Sequence, residues 1–244
     1  MDRLTSLRLP LDKAPDQIAG MFDAIAARYD LLNHVLSLGF DRQWRTRAVR
    51  SLRLTGSEMV LDMCTGTGDL AAAVTRGRSG AAQVIGIDFA TEMLRKGQAK
   101  LRQQGLTRRV RFVRGDATEV PLSDGSVDAA TIAFGIRNVA EPSQALDELR
   151  RVVRPGGRIA ILEFGSPQAP VLRSLYGWYF QRILPWVGRV VSGHQSAYTY
   201  LPASVSAFRE GVDFCDLLRQ AHFTDIRIVR LQFGVVYLYE ARRS

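Results

Sequence analysis

The densest run of chemically capable residues is Val60-Leu61-Asp62-Met63-Cys64-Thr65-Gly66-Thr67-Gly68-Asp69-Leu70-Ala71. An apolar run passes into a glycine-rich turn and then into a helix-forming stretch. Glycine tolerates a positive-φ turn and lets a ligand approach the backbone closely. Gly66-Thr67-Gly68-x-x-Ala71 fits the loose G-x-G-x-x-G/A fingerprint, and Asp88 stands 20 residues beyond Gly68 at the end of the next apolar run. A carboxylate so placed accepts hydrogen bonds from ribose hydroxyls. A third acid, Asp116, closes a third apolar run beside Ala117, where an adenine amino group can be read. Asp62, just ahead of the glycines, would repel a pyrophosphate. A ligand carrying a sulfonium and an α-amino group is instead drawn to carboxylates. Three acids at three successive strand ends thus favour a nucleoside cation over a dinucleotide, with Asp62 either meeting it directly or bracing the loop.

Strands and helices must hold these acids at one edge. MVLDMC (59–64), QVIGID (83–88), VRFVRGD (110–116), VDAATIAF (127–134) and RIAILEF (158–164) read as apolar strands. Helical stretches lie between most of them, at Asp69–Arg76, Glu92–Gln104 and Ser143–Val153, the last stopped by a turn at Arg154-Pro155-Gly156-Gly157. This alternation predicts a parallel sheet with right-handed crossovers. Ahead of it, residues 17–29 set Ile18, Met21, Phe22, Ile25, Ala26 and Tyr29 on one helical stripe, and a second helix is expected over Asp41–Leu52. Behind it come an aromatic-rich stretch, a helix near Ser206–Ala221, and the runs DIRIVRLQ and GVVYLYEA, expected as an antiparallel pair at the sheet edge.

VLDMCTGTGDLA, GIDFATEML, RGDATEVPLSDGSVD and RRVVRPGGRIAILEF together resemble the class I methyltransferases. YDLLNHVLSLGFDRQW (29–44), FGIRNV (134–139), AYTYLPASV and GVVYLYEA are similar, more narrowly, to the ubiquinone/menaquinone biosynthesis C-methyltransferase family, nearly the whole chain being covered from about residue 17. The resemblance implies a Rossmann-like α/β fold, with a mostly parallel seven-stranded sheet, an antiparallel edge strand and helices on both faces. It implies S-adenosylmethionine as methyl donor, held by Thr67, Asp88 and the Asp116-Ala117 pair, with Asp62, Gly66 and Gly68 shaping the loop. The acceptor it implies is a polyprenylated hydroquinone, foremost demethylmenaquinol going to menaquinol. The alternatives are a 2-polyprenyl-6-methoxy-1,4-benzoquinol, another small molecule, or RNA. The chain departs from the family pattern at Asp41, at Ala133 and at Glu163-Phe164-Gly165.

Carbon methylation of such a ring needs no metal and no covalent nucleophile. A free phenol has a pKa of about 10, and a nearby cation or hydrogen-bond donor raises its ionised fraction. Arg137 and Asn138, just past the fourth strand, are the expected catalytic donors, and Tyr29 is expected to close over the site or orient a water.

The composition fits one large domain: 46% hydrophobic and 23% charged residues allow a buried core. We divide the chain into an N-terminal helical cap (1–57), a donor-binding core (58–165), an aromatic and arginine-rich insert acting as acceptor lid (166–205), and a C-terminal helix with edge strands completing the domain (206–244). The net charge is +9, yet the excess is spread without a dense basic block, so no nucleic-acid partner is expected. Cys64 and Cys215 form no CxxC pair, and the first residues lack an apolar leader core, which predicts a cytoplasmic protein. Residues 171–191 mix Trp178, Phe180 and Trp186 with Arg173, Arg182 and Arg189, and no acid occurs between Gly165 and Arg209. That mixture predicts contact with the anionic inner face of the cell membrane. His194 lies in Gly193-His194-Gln195-Ser196-Ala197-Tyr198-Thr199-Tyr200, a stretch expected to line the acceptor pocket, and a homodimer is kept open.

Overall fold

The computed structural model describes residues 14–77, 83–167, 169–178, 182, 195–208 and 210–244. Its centre is a seven-stranded sheet: β1 (Met59–Met63), β2 (Gln83–Asp88), β3 (Val110–Arg114), β4 (Val127–Ala133), β5 (Val153–Phe164), β6 (Phe223–Leu231) and β7 (Val236–Arg243). The order is β3-β2-β1-β4-β5-β7-β6. The first five strands pair parallel, and β7 runs antiparallel to both β5 and β6, so the antiparallel strand lies one place in from the rim. Strand order reverses between β1 and β4. In open α/β sheets a ligand crevice forms at the carboxyl ends of the strands at such a reversal.

The helices are α1 (Pro15–Leu36), α2 (Asp41–Leu52), α3 (Asp69–Thr75), α4 (Thr91–Gln103), α5 (Pro142–Val152), α6 (Pro170–Trp178), α7 (Gln195–Ala207) and α8 (Val212–Gln220). A short 3-10 turn, Ile136–Asn138, follows β4. Alternation along the strands sorts the core onto two faces. Leu61, Met63, Ile132 and Ile161 meet Leu146 and Leu149 of α5 and Phe214 and Leu218 of α8. Val60, Val84, Ala129 and Leu162 meet Trp44, Ala48 and Leu52 of α2 and Leu70 and Val74 of α3. A sheet covered on both faces explains why β1, β4 and β5 read as nearly continuous apolar runs.

Three boundaries differ from the sequence reading. α1 runs on to Leu36, because the polar residues that interrupt its apolar stripe find partners on other elements. The stretch Arg154–Gly157 is no separate turn. β5 starts at Val153, and its register on β4 jumps from Val127↔Val153 to Ala129↔Arg158, the extra residues bulging out with Gly156 at φ +76°. The expected helix at 206–221 is split between α7 and α8 by Gly211 at φ +69°, whose N–H donates to the Tyr239 hydroxyl at 2.7 Å.

Candidate active site

The glycine loop is pinned from below by two buried carboxylates. Asp62 accepts from the Thr65 hydroxyl at 2.5 Å, the Ala71 N–H at 3.1 Å and the Thr131 hydroxyl at 2.7 Å. Of its two candidate roles it fills the bracing one. Asp88 accepts from the Gly66 N–H at 2.7 Å and the Ala90 N–H at 2.9 Å, which ties the loop after β1 to the end of β2. Gly66 and Gly68 are both left-handed, at φ +55° and +77°. A Cβ on Gly68 would stand 2.4 Å from the Phe112 ring, so this glycine is required by packing as well as by its dihedral.

Burial raises the carboxyls of both Asp62 and Asp88 to about 6. Between them, Cys64 sits at φ +57°, against the backbone of Gly135 from the β4 end. Its thiol is pushed well up by burial and then by the negative charges of Asp88, Asp62, Asp116 and Glu163. Four carboxylates, those of Asp62, Asp88, Asp116 and Glu163, thus lie near Cys64 at the β1–β4 reversal. Asp116 spends Oδ1 on the N–H and hydroxyl of Thr118, both at 2.8 Å, in a local turn that fixes buried Ala117 beside it.

Thr67 is engaged by two helices. Its buried hydroxyl donates to Asp30 of α1 and accepts from Lys100 of α4 at 3.0 Å, while Lys100 also reaches Asp69 at 2.7 Å. Asp23 of α1 accepts the Glu92 N–H at 2.7 Å, satisfying a free donor in the first turn of α4. The N-terminal helix is thus locked over the crevice by polar contacts that apolar periodicity does not reveal.

Beside the crevice lies a second compartment, a cavity of about 90 Å³ between α1, α2, α7 and the ends of β4 and β5. Its wall is mainly apolar, with Ile25, Leu32, Trp44, Phe134 and Phe164, and it is broken by Tyr29, Arg137 and Tyr200 and, toward α2, by Asn33, Ser37, Asp41 and Arg45. Arg137 is 6% exposed. Its Nη1 donates to Glu163 Oε1 at 2.7 Å and to the Phe134 carbonyl, and its guanidinium carbon stands 5.3 Å from the Phe164 ring centre. Glu163 is fully buried, and burial raises its carboxyl although Arg137 opposes that shift. Asn138, also buried, donates to the Phe134 carbonyl at 3.3 Å. Tyr29 lines the cavity with its phenol raised by burial, a shift that a hydrogen bond with Asn33 and the charge of Arg137 oppose.

The structure thus brings Tyr29 and Arg137 together in the cavity, with Asn138 on the same turn as Arg137. It sets Asp62, Gly66, Asp88 and the Asp116-Ala117 pair around the crevice. Sequence reasoning missed Glu163 as a site residue, whereas Tyr200, which lines the cavity, closes the stretch 193–200 expected to line the acceptor pocket. The one available signal for Glu163 was an acid closing the apolar run RIAILEF, a place where a carboxylate needs a partner if buried. His194 and most of 171–191 lie outside the described residues.

The sequence profile described as "ubiE/COQ5 methyltransferase family" matches residues 11–243. A Geobacter sp. (strain M21) protein named ubiquinone/menaquinone biosynthesis C-methyltransferase UbiE is 42% identical over 229 residues, covering 94% of this chain and 97% of that one. A Thermus thermophilus demethylmenaquinone methyltransferase is 44% identical, covering 91% and 100%. Among solved structures, a SAM-dependent methyltransferase from Thermotoga maritima superposes with a TM-score of 0.65 at 17% identity, covering 93% of this chain and 100% of that chain. One from Aquifex aeolicus gives 0.60 at 19%, covering 82% and 89%. These two support the fold alone.

Proposed function

The chain belongs to the ubiE/COQ5 methyltransferase family, and from that premise we propose that it methylates a ring carbon of a polyprenylated hydroquinone, demethylmenaquinol to menaquinol, with S-adenosylmethionine as donor. The observation that carries this reading is that Tyr29 lines an apolar cavity holding a buried guanidinium and also packs on Ala90 and Met93, beside the carboxylates at the strand ends. The donor supplies an electrophilic methyl group on a sulfonium. The carboxylates at the crevice fit its positive charge, with Asp88 and Asp116 offering acceptors to ribose and adenine.

On the cavity side, Arg137 holds the acceptor's phenolic oxygen in its ionised form. The enriched ring carbon then provides the electron pair of the new C–C bond while the methyl–sulfur bond breaks and its pair returns to sulfur as a neutral thioether, and the ring hydrogen leaves as a proton to a water oriented by Tyr29. Apolar walls exclude competing water and hold ring and methyl in line, a source of much of the acceleration. The Geobacter relative's name joins ubiquinone with menaquinone, so a benzoquinol acceptor is the second reading. Mass spectrometry of quinones from cells with and without the protein tests both. Loss of the protein should leave a naphthoquinone lighter by one methyl. An unchanged quinone pool would sink the proposal, and a lighter benzoquinone would select the second reading.

A polyprenyl tail keeps the substrate in a bilayer, so we place the enzyme at the inner face of the cell membrane. No described helix is long and apolar enough to cross a membrane. α6, which opens the arginine and aromatic stretch, exposes Val171 and Trp178, in keeping with surface contact.

A further inference from the structure

We propose that the Tyr200 hydroxyl is a further catalytic group of the cavity, donating a hydrogen bond to the same ring oxygen that Arg137 stabilises. The proposal rests on the reading of this cavity as the quinol site. Tyr200 enters from α7 and shares the wall with Arg137 and Tyr29. Its hydroxyl oxygen is buried and has no hydrogen-bond partner. Arg137 Nε, on the same cavity residue whose Nη1 is committed to Glu163 and the Phe134 carbonyl, is likewise buried without a partner. Most buried polar groups in native proteins are paired, and an unpaired one costs stability. Two unpaired donors on residues that line one mostly apolar cavity are complementary to a ligand that is apolar over most of its surface and bears an accepting oxygen.

Tyr200 suits donation more than base chemistry. Burial raises its phenol above the ordinary value, and of the charges near it Arg137 lowers it and Glu163 raises it. The group therefore keeps its proton near neutrality and can offer it to a phenolate. Its hydroxyl contributes no bond to the free protein. α7 is anchored by other residues: Leu201 packs with Ile25 and Leu32, and Ser204 and Val205 are buried. A catalytic role and a structural role therefore predict opposite things for removal of this one oxygen.

The test is Tyr200→Phe in the full chain, read three ways. Thermal unfolding should be unchanged or shifted upward, because an unsatisfied hydroxyl is removed. Anaerobic binding of 1,4-dihydroxynaphthalene, followed by quenching of Trp44 on the cavity wall, should weaken about tenfold. Turnover should fall by at least that factor while S-adenosylmethionine affinity stays the same. Equal binding and turnover in the two proteins would overturn the role of Tyr200 and leave the cavity reading intact. A clear loss of thermal stability would overturn it too, by making the hydroxyl structural. Failure of the unaltered protein to bind the dihydroxynaphthalene would overturn the cavity reading and this proposal with it.

Discussion

Arg137 reaches the cavity with part of its hydrogen-bonding capacity already spent on Glu163, and this changes how its role must be probed. Replacing it with alanine strands a fully buried carboxylate, and breaking a buried pair in this way costs about 3–5 kcal/mol. Arg137→Lys keeps the charge and loses the planar fork. It should lower kcat on the order of 10²-fold, as for a lost oxyanion donor, with donor affinity unchanged. Full turnover in that variant, measured by product formation, would make the residue structural.

Asp88 and Asp62 give the site a pH signature. Both hold their protons to about 6 when folded, against about 3.9 in a free chain. Between those values the folded state carries the extra protons, so their contribution to stability falls as pH rises from about 4 to about 6 and does not return above. A bound cation favours the ionised carboxylates. Donor affinity should therefore rise with pH through about 6 and level off above about 7, with proton release on binding below that. Calorimetry giving a flat affinity from pH 5 to 8 would remove both carboxylates from donor recognition. The place of Asp88 against the glycine loop was legible because its spacing from the glycines is a motif with a mechanism. Glu163 was not, because an acid closing a strand looks the same whether it faces solvent or a guanidinium, and only the third dimension distinguishes them.

At the scale of elements, one ring explains three glycines. Phe112 of β3 lies where a Cβ on Gly68, Gly86 or Gly97 would stand, at 2.4, 2.7 and 2.7 Å respectively. Loop, β2 and α4 close on each other around that ring, which sets the height of the glycine loop above the strands. Gly68→Ala adds both a left-handed strain and an overlap with the ring. It should destabilise the protein by about 1–3 kcal/mol and weaken donor binding, read from the denaturant midpoint and a titration. An unshifted midpoint would show that the ring yields freely. The parallel sheet and the helices around it could be read from periodicity, since burial on both faces gives long apolar runs. The bulge at Arg154–Gly157 and the break at Gly211 could not. Glycine marks both places in the sequence, but whether a glycine ends an element or bends it depends on the neighbouring strand's register and on a distant tyrosine.

Over the whole molecule, α1 is a cap on an α/β body, and the cavity exists only where the two meet. Its lock on the body joins the packing of Ala26 on Ala90 and Met93 to polar contacts: Asp23 to the start of α4, Lys96 to the Ala26 and Ala27 carbonyls, and Lys100 to Asp30. Those partners lie some 70 positions apart in sequence, which is why the apolar stripe of α1 announced a packed helix and said nothing of what it packs on. The exposed Trp178 bears on where the molecule works. Wild-type protein should sediment with anionic liposomes at low salt, and Trp178→Ser should do so less. Equal pelleting of the two proteins would remove α6 from any membrane contact.

The central claim is that the two compartments together methylate a ring carbon of a hydroquinone. A quinone ring is too electron-poor for its carbon to attack a sulfonium methyl, whereas two-electron reduction supplies the phenolic oxygen that Arg137 can hold ionised. The most direct measurement uses purified protein, S-adenosylmethionine and a short-tailed demethylnaphthoquinone under anaerobic conditions, with and without a chemical reductant. Product should appear only with reductant and should carry its new methyl on ring carbon; equal product from the oxidised quinone, or methyl on oxygen, would contradict the account.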